Sequence, residues 1–124
     1  MKDAGELRHL LAHHTGTTQW YRHPFSRCTY TDGVKAFAQN AGHGAYWLLD
    51  IVLTQPEIVQ GMRDEGLVFV WLNVTEDKKA TLRVARDSGN EPTLYARDID
   101  YTDCPPGEWV FNFTQDVLMI PSEY

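Results

Sequence analysis

The sequence predicts an α+β domain, with N-terminal helices packed on one face of a C-terminal antiparallel sheet of four or five strands. Three observations carry this expectation. Side chains with helical spacing occupy the first half, at Leu7, Leu10, Leu11 and His14 and again at Val34, Phe37, Ala38 and Ala41. From Leu67 onward the pattern changes to short alternating or continuous apolar runs divided by turn residues. Helices first and strands second is the signature of segregated rather than alternating elements. The 124 residues suit one domain, expected over 1–124 with helices at about 4–62 and strands at about 67–120. A chain of this mass buries roughly two-thirds of its unfolded surface, enough for a core without metal or disulfide staples.

The elements follow in order. Asp3 with Glu6 reads as a capping box opening an amphipathic helix over 4–14. Gln19 to Phe25 is aromatic, basic and irregular, because Pro24 bars helix at the residue before it. Thr31 or Asp32 caps a second helix, which Gly42 and Gly44 break. Ala45 to Leu53 is apolar all round except for Asp50, the mark of a buried helix. Thr54 is expected to cap a short fourth helix, with Pro56 in its first turn, Glu57 as reciprocal partner and Gly61 or Gly66 at its end. Leu67–Thr75 is apolar on both faces and fits a central strand. Ala80–Arg86 and Thr93–Ile99 follow around an Asp87–Asn90 turn, with Thr93, Tyr95, Arg97 and Ile99 expected on one face. Trp109–Phe113 is a last alternating strand, and Val117–Ile120 a further short one.

Charge divides the chain. The net charge is −6, yet residues 1–44 carry +2 and all five histidines, whereas residues 45–124 carry −8. An acidic C-terminal half disfavours direct nucleic-acid binding, which depends on Lys and Arg replacing counterions. It suits a protein complex with a basic surface, or simply keeps the protein soluble. No run approaches the ~20 apolar residues that cross a bilayer. The first six residues lack an apolar signal core, so a cytoplasmic location is expected. Cys28 and Cys104 are then expected as free thiols, and no zinc spacing occurs.

Few residues offer chemistry. His9 and His13 stand one helical turn apart, a spacing that clamps a metal only with further ligands, so no metal or other cofactor is expected. Asp50 interrupts an apolar helix and calls for a partner, with Arg22, His23 or a tyrosine hydroxyl as candidates. His23, His43 and Asp50 together give the enzymatic alternative, a small hydrolase-like or metal-assisted site. No nucleophile elbow, dinucleotide fingerprint or P-loop is present. Trp20, Tyr21, Arg22 and Tyr30 interleave aromatic and basic groups, which read first as cover for the core, next as a protein interface, where such residue types dominate, and last as a stacking platform for single-stranded nucleic acid. Asp87, Glu91, Asp98, Asp100 and Asp103 cluster along two strands and their turns as a candidate acidic face.

Thr15–Pro24, Tyr30–Val34, Gly44–Asp50, Tyr101–Asp103 and Leu118–Tyr124 carry a resemblance. The chain resembles a domain-of-unknown-function family of small bacterial proteins carried by phages, plasmids and other mobile elements. The resemblance implies a setting and no activity. In that setting the expectation is a non-enzymatic binding protein that inhibits or modulates a host nucleic-acid-handling or defence complex, in the manner of anti-CRISPR proteins. Its interface candidates are the acidic strands and the Trp20–Tyr30 segment, and a homodimer through the aromatic segment is the third reading.

Overall fold

The structure is a computed structural model that describes residues 2–16, 19–86 and 93–123. Its order is α1 (Ala4–Ala12), β1 (Trp20–Arg22), β2 (Thr29–Thr31), α2 (Asp32–Asn40), α3 (Tyr46–Thr54), α4 (Pro56–Glu65), β3 (Leu67–Val74), β4 (Ala80–Ala85), β5 (Thr93–Ile99), β6 (Gly107–Thr114) and β7 (Val117–Met119), closed by a 3-10 turn at Pro121–Glu123. Local chemistry sets the helix starts. Asp3 accepts from the Glu6 N–H at 2.8 Å while Glu6 reaches back to the Asp3 N–H, completing the capping box. Thr31 caps α2 through the Val34 N–H at 3.3 Å. Thr54 does not cap α4. It is the last residue of α3, where its hydroxyl donates back to the Asp50 carbonyl, and Gln55 precedes Pro56 with no side-chain cap. Gly66 ends α4 at φ 85°, a conformation that suits glycine.

The α+β class holds, but the sheet is larger than four or five strands. Seven strands lie in the order β1-β2-β7-β6-β3-β4-β5. All pair antiparallel except β2 with β7, where Thr29 and Tyr30 run parallel beside Val117 and Leu118. The aromatic stretch read as irregular supplies the two extra strands. β1 and β2 are only three residues each, too short for an alternation to show, and they join the sheet through a segment almost ninety residues further on. The β6–β7 hairpin turns on Gln115 and Asp116, both at positive φ.

β3 is central, paired along its length with β6 and β4. Its Val68, Val70, Leu72 and Val74 are buried with Leu82 and Val84 of β4 and Trp109, Phe111 and Phe113 of β6. Against this layer sit Leu7 of α1, Val34 and Phe37 of α2, Leu48, Leu49, Val52 and Leu53 of α3 and Ile58 and Met62 of α4, in one contiguous core. Phe37 lies 5.6 Å from the Trp109 ring and 5.0 Å from that of Phe111, so α2 is seated on β6 by an aromatic cluster. A register shift at Val84/Ala85 places Thr93 opposite Ala85 and Tyr95 opposite Val84. The bulge therefore turns Thr93 to the other face from Tyr95, Arg97 and Ile99, against the strict alternation expected from sequence.

Candidate binding surface

The helices cover one face of the sheet, and register defines what the other presents. Successive cross-strand rows on that open face are Glu108, Asn73, Thr81 and Asp98; then Val110, Trp71, Arg83 and Ala96; then Asn112, Phe69 and Ala85. Phe69 and Trp71 are half-buried with ring centroids 5.9 Å apart, and the Arg83 guanidinium lies 5.0 Å from the Trp71 ring. Arg83 is held there by its Nε donating to Thr93 Oγ1 at 3.0 Å. Trp71, Asn73, Thr81, Arg83 and Glu108 line a hollow of about 400 Å³. The face thus has an aromatic centre with an arginine over one ring, and beside it a polar row with a carboxylate at each end, Glu108 and Asp98. Sequence reading placed no function here, because a strand apolar on both faces signals only a central position. The cue was available in Phe69 and Trp71, two large rings on the face that helices on one side alone leave uncovered.

The acidic residues divide. Asp98 and Asp100 are exposed. Asp103 is turned inward, accepting the His43 backbone N–H at 2.9 Å and packing against Gly42. Asp87 and Glu91 lie outside the described residues. The aromatic candidates sit at the opposite edge of the sheet. Six inter-strand steps of about 4.8 Å separate β1 from β5, close to 29 Å, so no small ligand touches both edges. Tyr21 stacks on Tyr30 at 5.7 Å with the Lys35 ammonium 4.1 Å from its ring, whereas Trp20 and Arg22 are exposed. Burial, with Tyr46 and Tyr21 as neighbours, pushes the Tyr30 hydroxyl above its usual range.

Of His23, His43 and Asp50, two meet. His23 is 2% exposed and its Nε2 lies 2.8 Å from Asp50 Oδ1. Its Nδ1 accepts the Phe25 backbone N–H at 3.1 Å, which places the imidazole proton on Nε2, donating to the carboxylate. Both ring nitrogens are thus occupied, and neither is presented to a substrate. The Asp50 side chain is 66% exposed, so this residue marks the wet stripe of α3 and satisfies the buried histidine from outside. His43 is exposed and contacts Asp103 at 4.0 Å instead. His9 and His13 bring their Nε2 atoms to 3.4 Å on the exposed side of α1. Cys28 and Cys104 are free, buried thiols, each pushed up chiefly by burial. Tyr-Thr-Asp occurs twice, at 30–32 and 101–103, and each copy serves local structure: Thr31 caps α2, and Thr102 accepts the Cys104 N–H at 3.1 Å. No helix among the described residues is long and apolar enough to cross a membrane.

The chain belongs to a family of unknown function, DUF6876, which matches residues 5–124. No curated protein and no solved structure gives a significant match.

Proposed function

We propose that this chain is a non-enzymatic binding protein whose interface is the open face of its sheet, and that the face takes a protein partner with a basic surface. One observation carries the reading: Phe69 and Trp71 stand together on the sheet face that the described helices leave uncovered, with Arg83 over the Trp71 ring. Trp, aromatic and Arg side chains supply most interface hot spots, and burying a large ring fully contributes on the order of 1.5–3 kcal/mol. The rim favours a partner of positive charge. Glu108 and Asp98 share one row beside the Trp71 hollow, and the segment from residue 45 onward, which builds β3–β7, carries −8. The same charge repels phosphates and so favours protein over nucleic acid.

The mobile-element setting implied by the family resemblance selects the class of partner we propose, a host nucleic-acid-handling or defence complex whose basic surface ordinarily meets phosphates. Asp98 and Glu108 would then stand where phosphates lie, as in anti-CRISPR-like inhibition within the cytoplasm. A hydrolase-like reading on His23, His43 and Asp50 gains less from the geometry, because His23 spends both nitrogens internally and His43 faces Asp103.

Affinity capture from host lysate at low and moderate salt tests the proposal, with wild type run beside Asp98→Lys/Glu108→Lys. A stoichiometric catch that weakens with salt and is lost in the charge-reversed variant supports it. A catch indifferent to both substitutions, or self-association alone in light scattering, sinks it.

A further inference from the structure

The end of α1, the start of α2 and the C-terminal turn meet at one point. His14 follows α1, Asp32 opens α2, and Glu123 ends the 3-10 turn. The His14 Nδ1 lies 3.9 Å from Asp32 Oδ2, and both side chains are about three-quarters buried, at 24% and 21% exposed. Glu123 is fixed by three donors: the Thr31 hydroxyl at 2.6 Å and the Ile120 N–H at 3.2 Å to Oε1, and the Gly33 N–H at 3.2 Å to Oε2. Gly33 admits this approach because a Cβ there would meet Glu123 Oε1 at 2.5 Å. Ser122 Oγ donates to the His14 carbonyl at 2.7 Å, which holds the turn to the end of α1.

From this geometry we propose that His14, Asp32 and Glu123 bind one divalent transition-metal ion. One ligand atom from each lies within 4.8 Å of the other two. Three points so spaced fit within a circle of about 2.8 Å radius, so each ligand moves by roughly 0.6–0.8 Å to reach a bond of about 2.0–2.2 Å. Side-chain torsions supply such a movement without displacing the helices. Two carboxylates this close repel each other, and a dication between them replaces that repulsion with attraction. One imidazole and two carboxylates are a borderline-hard set that suits Zn²⁺, Mn²⁺ or Fe²⁺, with Zn²⁺ the tightest of the three in the usual affinity order. The Thr31, Gly33 and Ile120 donors orient the Glu123 carboxylate, the role that outer hydrogen bonds play around metal ligands. Three protein ligands leave at least one coordination position for water or an external donor. This ion would also join segments 109 residues apart in sequence.

Titration calorimetry with ZnCl₂ on the tag-free protein tests this. The background is His9→Ala/His13→Ala, which removes the other histidine pair. The expected result is one equivalent bound, weakened at least about tenfold by His14→Gln and separately by Glu123→Gln, with circular dichroism unchanged. Glu123→Gln keeps an oxygen acceptor, and His14→Gln leaves the α2 cap untouched, so two independent variants guard against misfolding. Loss of all stoichiometric binding in the His9→Ala/His13→Ala background assigns the metal to the helix pair and overturns the proposal. Binding that survives both His14→Gln and Glu123→Gln overturns it equally.

Discussion

Replacing Asp50 with alanine removes the acceptor of a buried imidazole N–H. His23 is 2% exposed, and its Nε2–H donates to Asp50 over 2.8 Å. A buried donor left without a partner costs about 1–3 kcal/mol. The Asp50 side chain is 66% exposed, so water re-enters part of the gap and the cost falls toward the lower end, about 1–1.5 kcal/mol. With an unfolding entropy of roughly 2.1 cal/mol/K per residue over 124 residues, that lowers Tm by about 4–6 °C. Alanine also raises the helix propensity of α3, which a double-mutant cycle cancels. The assay is urea denaturation of wild type, Asp50→Ala, His23→Phe and the double variant. In the His23→Phe background no imidazole waits for a partner, so Asp50→Ala costs less than about 0.5 kcal/mol there. Equal costs in the two backgrounds would refute the pairing argument.

Four other outcomes follow from the same structure. Gly42 is at φ +62°, and a Cβ there would meet the Asp103 backbone oxygen at 2.5 Å, so Gly42→Ala costs about 2–4 kcal/mol by thermal melting. Gly66→Ala, at φ +85° with nothing within 4 Å, costs only about 1 kcal/mol, and equal effects would show that contact with Asp103 is not the cause. Thr31→Ala loses both the α2 cap and the donor to Glu123, a destabilisation of about 1–2 kcal/mol in urea melts; a neutral result would count against the cap. Cys28 and Cys104 are held above their ordinary 9.0 and Tyr30 above 10.0, each mainly by burial. The unfolded chain therefore releases protons first as pH rises, so stability is full below about pH 9 and declines above it. Thiol alkylation at pH 8 should proceed only on unfolding, and rapid labelling of the native chain would contradict the burial of both sulfurs.

Much of the fold was legible because it rests on local chemistry. The Asp3–Glu6 box, the Thr31 cap and Pro56 at the start of α4 each mark a helix start within a few residues. Asp50 announced a partner because a carboxylate in an apolar helix needs a wet stripe or a mate, and His23 stood among the three partners named. The remainder depends on distance in sequence. β1 and β2 gain their place from β7, and Glu123 reaches α2 from the other end of the chain. Neither leaves a periodic trace. Thr54 misled because a hydroxyl before Pro56 resembles a cap, while α3 simply runs through it and gives that hydroxyl a carbonyl to bind. The open face was hidden for a different reason. A pattern apolar on both sides reads as double burial, and only the location of the four described helices on one side shows which rings they leave uncovered.

The most direct test of the binding account measures the affinity of a captured partner for three forms of the chain. Wild type, Trp71→Ser on the central strand and Trp20→Ser at the far edge are compared by calorimetry at fixed salt, with folding checked by circular dichroism. The account predicts that Trp71→Ser weakens binding by about 30-fold or more, the scale of a buried hot-spot residue, and that Trp20→Ser changes it less than about threefold. Unchanged affinity in folded Trp71→Ser, with or without a loss in Trp20→Ser, would contradict the open face as the interface.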